Sequence, residues 1–168
     1  YVPSRSVPPM NRFVADRLLL FGATGDLARR MLLPSLCALD ADGLLDPKLE
    51  IIGTARSELD DAGFRNMARE SLEQFLPADR RGGRATFLNR LAYQTLDAST
   101  SEGFDDLAQK VGSPAQGIAI FLSTAPSLFE PTIRGLAASG LAGEAVRNPG
   151  QVEWLCGARG GEVALFAR

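Results

Sequence analysis

Leu18-Leu-Leu-Phe-Gly-Ala-Thr-Gly-Asp-Leu-Ala-Arg-Arg30 joins an apolar run to a glycine turn and then to a helix-forming segment. The run before the turn predicts a buried strand, and the residues after it predict a helix. Gly22 can adopt backbone angles closed to residues with a Cβ, and Gly25 lets the chain approach a ligand closely. Ala28 is small enough for the helix to pack against the strand. The stretch therefore predicts the first strand, turn and helix of a dinucleotide-binding unit.

The spacing Gly-x-x-Gly-x-x-Ala is shorter than the fingerprint Gly-x-Gly-x-x-Gly, so its context has to support it. A second apolar run at Leu49–Thr54 follows the helical segment, as a βαβ unit requires. The unpaired N–H groups of the helix start, together with the positive end of the helix dipole, would then face an anion such as a pyrophosphate. The alternative is a strand-to-helix turn with a structural role alone.

Composition indicates one ordinary globular domain, because 168 residues can bury a core without a disulfide or a metal. The formal net charge of −2 and the lack of a dense Lys/Arg cluster argue against a nucleic-acid surface or a basic membrane patch. The apolar run at 17–21 is too short to span a membrane. Cys37 and Cys156 lack Cys-x-x-Cys spacing, which predicts plain thiols in a reducing cytoplasm. The sequence contains no histidine, so no imidazole can act as base, acid or metal ligand.

Four strand-like runs alternate with helical patterns, at Arg17–Phe21, Leu49–Gly53, Leu91–Thr95 and Gly117–Ser123. This alternation predicts an α/β fold, a Rossmann-like parallel sheet with helices on both faces. Apolar residues at helical spacing predict a helix that ends at Pro77, and two capping boxes, Ser99-x-x-Glu102 and Ser127-x-x-Glu130, predict the starts of two more. We expect four parallel strands, and an open edge beside the fourth.

Three parts of the sequence depart from this regular order of strands and helices: the position of Pro34, the segment 77–90 and the tail at 148–168. Pro34 lies inside the first helical pattern, where it predicts a kink or an early break. The segment Pro77–Arg90, with two glycines and several arginines, predicts a solvated loop.

We expect a disordered extension at 1–15, a coenzyme domain at 16–147 and an atypical tail at 148–168. An unpaired sheet edge predicts marginal stability or assembly into a homo-oligomer.

The residues after the second strand indicate which dinucleotide is bound. A free ribose 2′-hydroxyl calls for Asp or Glu, whereas a 2′-phosphate calls for a cation and small hydroxyls. Arg56 offers a permanently charged fork, and Ser57 and Thr24 offer hydroxyls, so NADP is favoured over NAD. The alternative is that Arg56 is a surface cation and that Ser57 caps a helix through Ser57-x-x-Asp60.

Two further positions follow from the fold. The segment Ser123-Thr-Ala-Pro126, which ends the fourth strand, would line the crevice where the reactive ring lies, and Thr124 is its candidate coenzyme contact. Asp26 falls in the first helical turn, where the dipole favours a carboxylate, so its role is interpreted first as structural.

The chain resembles the N-terminal coenzyme domain of the glucose-6-phosphate 1-dehydrogenase family from about Arg17 to Arg147. The segments that carry the resemblance occur in the family's order, at Gly22–Arg30, Pro34-Ser35, Asp42–Leu45, Ile51–Ser57 and Phe121–Pro126. The resemblance implies that Gly22 to Arg29 wrap the coenzyme diphosphate, a stretch made up of Gly22, Ala23, Thr24, Gly25, Asp26, Leu27, Ala28 and Arg29. It also implies that Thr24 and Arg56 hold the 2′-phosphate, and that Asp97 and Ala98 lie beside the coenzyme.

Past Arg147 the resemblance ends, so the Rossmann-like fold is expected to be incomplete relative to the full enzyme. The family's lysine that bridges substrate and coenzyme, and its histidine base, have no counterpart in this sequence. We therefore expect the chain to bind NADP without oxidising glucose 6-phosphate, the substrate that the resemblance implies for the full-length enzyme. A truncated gene product or an altered reading frame is the hypothesis for Asn148–Arg168.

Two other functions compete with this one. A non-catalytic NADP-sensing domain needs the same coenzyme crevice and no catalytic residues. A short-chain reductase also uses Gly-Ala-Thr-Gly turns, but it needs a Tyr-x-x-x-Lys pair, and Asp97 stands where the lysine would follow Tyr93.

Overall fold

The computed structural model describes residues 15–114 and 117–141, together with the backbone of two strands at 153–156 and 163–167. Nearly all of the extension expected at 1–15 lies outside the described residues, as does the domain boundary at 147. Among the described residues, no helix is long and apolar enough to cross a membrane.

Strands and helices alternate through the first 141 residues. The strands are β1 (Arg17–Phe21), β2 (Glu50–Ala55), β3 (Leu91–Thr95) and β4 (Ile118–Leu122), followed by β5 (Glu153–Cys156) and β6 (Val163–Ala167). The α-helices are α1 (Leu33–Ala41), α2 (Asp61–Phe75), α3 (Arg84–Asn89), α4 (Phe104–Val111) and α5 (Phe129–Ala138). A π-helical segment at Ala28–Leu32 precedes α1, and short 3-10 turns precede α3 and α5 at Ala78–Gly83 and Pro126–Leu128.

The sheet has the strand order β3-β2-β1-β4-β6-β5. Strands β1 to β4 are parallel, and β1 lies between β2 and β4. The first three strands therefore lie side by side in sequence order, and β4 is then added on the other side of β1. Such a reversal opens a crevice at the carboxyl ends of the strands, which is where ligands bind in open α/β sheets. The predicted Rossmann-like α/β fold is confirmed.

Alternation of side chains along β1 divides the core between the two faces of the sheet. Leu19 and Phe21 pack with α4 and α5, in a cluster that includes Phe104 and Leu136. Leu20 faces the other way and packs with α1, α2 and α3, in a cluster that includes Phe64, Leu72 and Phe87. Because both faces are covered, β1 is apolar from Leu18 to Phe21 rather than alternating.

Two predicted capping boxes are not formed. The residue before α4 is Gly103, in a left-handed conformation and without a side-chain cap. Ser99 instead donates its N–H and its hydroxyl to Asp97 Oδ1, at 2.9 and 2.6 Å. The residue before α5 is Leu128, also without a side-chain cap, because a 3-10 turn occupies the position where Ser127 would cap the helix. The apolar spacing and the Ser-x-x-Glu patterns therefore predicted that α4 and α5 exist, but not the residues at which they begin.

Pro34 does not break the first helix. It is buried and lies inside one continuous helical stretch, which begins at Asp26 and passes through the π-helical segment into α1, so the N–H that it lacks is missing from the helix interior. The irregularity lies just before it, in the π-helical segment, where the N–H of Leu33 donates to the carbonyl of Ala28. A π turn changes the bonding pattern ahead of a proline without ending the helix.

The segment Pro77–Arg90 is not the solvated loop that its composition predicts, since it contains a 3-10 turn and α3. Phe87 and Leu88 are buried against α1 and α2 and anchor the segment. Arg81 donates to the carbonyls of Leu76 and Glu73, at 3.1 and 2.6 Å. Two apolar residues among many polar ones were enough to form a packed helix.

The edge of the sheet beside β4 is not open. Strand β6 pairs antiparallel with β4, and β5 pairs antiparallel with β6. The short apolar run near the C-terminus therefore extends the sheet, and the expectation of an unpaired edge at β4 is wrong. The prediction of assembly through that edge loses its physical basis.

Candidate dinucleotide site

A cleft of about 410 Å³ lies at the carboxyl ends of β1 to β4, at the point where the order of the strands in the sheet reverses. Each parallel strand contributes residues from its end or from the loop that follows it. The lining consists of Phe21, Gly22, Thr24, Thr54, Ala55, Arg56, Ser57, Leu96, Asp97, Ala98, Thr124, Ala125 and Leu128. This is the crevice at which the sequence predicts a dinucleotide.

The floor of the cleft is the turn after β1. Gly22 has φ +76°, and a Cβ placed on it would lie 2.1 Å from the carbonyl oxygen of Ser123. Only glycine fits there, because an L side chain would suffer both an unfavourable backbone conformation and a clash with backbone. The N–H groups of Gly22 and Ala23 both donate to the carbonyl of Thr54, at 2.9 and 3.2 Å. The turn is therefore bonded to β2 beneath it.

The amides that face an anion are consequently those of the helix start. The N–H of Gly25 donates to the carbonyl of Gly22 at 3.0 Å, which closes the turn. The first N–H groups of a helix have no acceptor within the helix, and the dipole adds partial positive charge there. Asp26 and Leu27 begin this helix, directly above the glycine turn. The geometry suits a phosphate or another anion.

The loop from β2 to α2 forms one side wall. Asp60 is the N-cap of α2, and its Oδ1 accepts the N–H of Gly63 at 2.7 Å. Ser57 does not cap the helix, so the alternative structural role for it is wrong. Its hydroxyl lies 3.2 Å from the hydroxyl of Thr24, which joins the wall to the glycine turn.

Arg56 is exposed on this wall, and among the described residues its guanidinium makes no hydrogen bond or ion pair. Asp97, in the loop after β3, also lines the cleft. The hydroxyl and then the N–H of Ser99, bonded to Asp97, lower the pKa of that carboxyl, and the charge of Arg56 adds to the effect. Asp97 is therefore ionised at neutral pH, and Ser99 occupies one of its oxygens. The free guanidinium is the group in the cleft that can meet an additional phosphate.

Within the part of the chain that the structure describes, two hydroxyls of the lining have no hydrogen-bond partner. Thr54 and Thr124 each have a buried Oγ1 without a hydrogen bond among the described residues. A buried polar atom without a partner costs free energy, about 1–3 kcal/mol, and usually meets water or a ligand. Hydroxyls, a free guanidinium and the amides of a helix start are a donor set that fits a phosphorylated dinucleotide.

The structure brings seven of the thirteen predicted site residues into the lining, namely Gly22, Thr24, Arg56, Ser57, Asp97, Ala98 and Thr124. The other six lie around the turn and its helix, namely Ala23, Gly25, Asp26, Leu27, Ala28 and Arg29. Ala23 and Ala28 are fully buried and support the turn from below. Asp26 is exposed and lies 3.6 Å from Arg30, in a surface ion pair. Gly25 and Arg29 are joined by a backbone hydrogen bond of 3.1 Å.

Ala125 lies in the segment that was expected to line the crevice, whereas five lining residues were not identified from the sequence, namely Phe21, Thr54, Ala55, Leu96 and Leu128. Most are apolar and were indistinguishable from core residues. Thr54 did carry a signal, since it is a polar residue at the end of an otherwise apolar strand. Tyr93, which does not line the cleft but contacts its wall, had no signal of this kind.

Comparison with known proteins gives the family. Residues 19–151 match the family model "Glucose-6-phosphate dehydrogenase, NAD binding domain". Glucose-6-phosphate 1-dehydrogenase from Zymomonas mobilis is 52% identical over 132 residues, which cover 77% of this chain and 27% of that enzyme. The enzyme of the same name from Dickeya dadantii is 39% identical over 132 residues, with the same coverage of both chains.

Solved structures agree. A glucose-6-phosphate 1-dehydrogenase from Mycobacterium avium superposes with a TM-score of 0.66 at 30% identity, covering 77% of this chain and 28% of that one. A glucose-6-phosphate dehydrogenase in complex with its substrate glucose-6-phosphate gives 0.64 at 25% identity, covering 76% and 28%. The chain thus spans about 27% of the length of the curated relatives it matches. It belongs to the glucose-6-phosphate dehydrogenase family, whose coenzyme is NADP, and corresponds to that family's dinucleotide-binding domain.

Proposed function

We propose that this chain binds NADP and serves as the coenzyme-binding part of a glucose-6-phosphate dehydrogenase. The diphosphate would lie at the helix start after Gly25, and the 2′-phosphate at Arg56. The observation that carries the proposal is the guanidinium of Arg56, which has no hydrogen bond or ion pair to any described residue and lies in the same cleft as the glycine turn. Arg56 stands where an enzyme selective for NAD would have a carboxylate to bind the ribose 2′-hydroxyl.

The neighbours of Arg56 support selectivity for the phosphorylated coenzyme. A guanidinium can bind a phosphate through two parallel charge-assisted hydrogen bonds. The hydroxyls of Thr24 and Ser57 lie beside one another on the same side of the cleft and can donate to the remaining phosphate oxygens. Asp97 cannot share this role, because an ionised carboxylate only accepts hydrogen bonds, here from the N–H and hydroxyl of Ser99.

In a full-length enzyme of this family, bound NADP would accept a hydride from C1 of glucose 6-phosphate. The residues of this chain bind and orient the coenzyme. Thr54 and Thr124 offer hydroxyls near the carboxyl ends of β2 and β4, and Phe21, Leu96 and Leu128 supply apolar surface that excludes water. With no histidine in the sequence, no imidazole of this chain can take the sugar hydroxyl proton. We propose that these 168 residues bind coenzyme without turning it over, and that they function in the cytoplasm.

Calorimetric titration with NADP and with NAD tests this function. We expect a clear preference for NADP, and we expect Arg56→Gln to weaken NADP binding about 10- to 100-fold with NAD affinity unchanged, since hydrogen bonds to charged groups contribute about 1.5–3 kcal/mol. The matched control is Arg69→Gln, which replaces an exposed arginine of α2 outside the lining.

The same preparation, mixed with NADP and glucose 6-phosphate, should form no NADPH. Equal affinity of the unmodified chain for NADP and NAD would overturn the proposal for Arg56. Formation of NADPH would show that a group other than histidine serves as the base.

A further inference from the structure

The loop that carries Arg56 is held by the strand next to it. Tyr93, at the centre of β3, donates its hydroxyl to the carbonyl of Ser57 at 2.8 Å and to the carbonyl of Ala55 at 3.1 Å. These two carbonyls flank Arg56 on both sides. One phenolic proton shared between two acceptors therefore sets the backbone path through Arg56.

The far end of the same loop is also bonded to Tyr93. The backbone N–H of Tyr93 donates to Asp61 Oδ1 at 2.7 Å, and Asp61 is the first residue of α2. Lys110, on α4, lies 2.9 Å from the same oxygen. A single residue of β3 thus contacts the loop both where it leaves β2 and where it enters α2.

Packing leaves Tyr93 little freedom to move. The residue is 2% exposed, and its ring lies 5.1 Å from the ring of Phe64, centroid to centroid. Burial raises the pKa of the Tyr93 phenol to about 12, so the hydroxyl is a donor throughout the neutral range. Thr95, two residues further along β3, donates to the carbonyl of Ser57 at 3.2 Å and reinforces the same contact.

We infer that Tyr93, assisted by Thr95, is a positioning residue that sets the selectivity of the cleft for a coenzyme with a 2′-phosphate. This inference rests on the proposed function of Arg56. Tyr93 lies outside the lining, so it acts through the loop rather than on the ligand. Without its hydroxyl the loop can move, and the guanidinium loses the orientation that two parallel bonds to a phosphate demand.

Tyr93→Phe tests the inference, because it removes the hydroxyl and keeps the ring, the contact with Phe64 and the backbone N–H. Calorimetric titration of the 168-residue chain with NADP and with NAD gives the ratio of the two affinities. We expect Tyr93→Phe to lower the NADP-to-NAD ratio about threefold to tenfold, by weakening NADP alone. Ser139→Ala is the matched control, since it removes a hydroxyl-to-carbonyl bond of 3.1 Å at the end of α5.

A purely structural role for Tyr93 would weaken NADP and NAD equally and leave the ratio unchanged, which would overturn the inference. A ratio of one in the unmodified chain would instead overturn the proposed function, and the inference with it. Should Tyr93→Phe unfold, as circular dichroism would show, Thr95→Val removes the second hydroxyl from the same carbonyl. We then expect a fall of about twofold in the ratio, and an unchanged ratio would overturn the inference.

Discussion

The turn after β1 and the loop after β2 meet at one cleft, but their shapes depend on different parts of the chain. The turn is built from backbone, since Gly22 fills a space closed to any Cβ and the amides of Gly22 and Ala23 bond to a carbonyl of β2. The loop is built by side chains, with Asp60 at its end and Tyr93 and Thr95 reaching it from β3. The turn therefore tolerates no side chain at Gly22, whereas a loop held by side chains can be adjusted in steps.

The largest effect expected comes from breaking the turn. Gly22→Ala places a Cβ 2.1 Å from the carbonyl oxygen of Ser123 in a left-handed backbone, so we expect a loss of about 3 kcal/mol or more in the free energy of unfolding. Binding of NADP and of NAD should be lost together, because the turn serves the part that the two coenzymes share. Urea unfolding and calorimetry measure both.

Gly43→Ala is the matched control. Gly43 has a similar φ of +69°, but a Cβ there would meet nothing within 4 Å. We expect it to cost about 1 kcal/mol from the backbone conformation alone. Equal losses for the two variants would show that the clash with Ser123 contributes nothing.

A smaller effect is expected from releasing the end of the loop. Asp60→Ala removes the cap of α2 and should lower the free energy of unfolding by about 1 kcal/mol. Ser127→Ala sharpens the test, because Ser127 is predicted from sequence to cap α5 but caps nothing in the structure. Its change should stay within about 0.5 kcal/mol. Similar losses in the two variants, measured by urea unfolding, would contradict this assignment of the caps.

The smallest expected effect is a pH-dependent change in the free energy of unfolding, due to Asp61. Burial alone would raise the pKa of Asp61, but the hydrogen bonds from Lys110 and from the N–H of Tyr93 outweigh it and lower the pKa. A carboxyl with a lowered folded-state pKa adds stability above its unfolded pKa, near 4, and loses that stability as the pH falls through the folded value.

Asp61→Asn should therefore be less stable than the unmodified chain at pH 6, by a few tenths of a kcal/mol, with the difference shrinking toward pH 3. Lys110→Met should show the same trend. Urea unfolding across this pH range measures it, and a difference that does not change with pH would rule out Asp61 as the titrating group.

Much of the fold could be predicted from local sequence, because several of its elements depend only on residues that are adjacent along the chain. The apolar run of β1, the glycines after it and the helical pattern of α2 each arise from neighbouring residues, so fold class and family could be predicted together. The helix starts at 104 and 129 could not, because a Ser-x-x-Glu pattern caps a helix only when the preceding backbone allows it. In this chain an Asx turn at Asp97 and a 3-10 turn at Pro126 occupy those positions.

The same distinction between local and distant contacts separates the site residues that were predicted from the elements that were not. Arg56, Ser57 and Thr24 were predicted from residue type and position, and the cleft brings all three together. The tail showed only a short apolar run, and its pairing with β4 depends on strands far away in sequence. Phe87 and Leu88 also needed α1 and α2 beside them before their segment formed a helix.

The sequence by itself determined that a buried strand, a glycine turn and a helix start stand in order, followed by a cation after the second strand, since these depend on neighbours along the chain. Only the tertiary structure decided that Tyr93 of β3 holds the loop on which that cation lies. Its hydroxyl lies 36 residues along the chain from the carbonyl of Ser57, and parallel strand pairing brings the two within 2.8 Å.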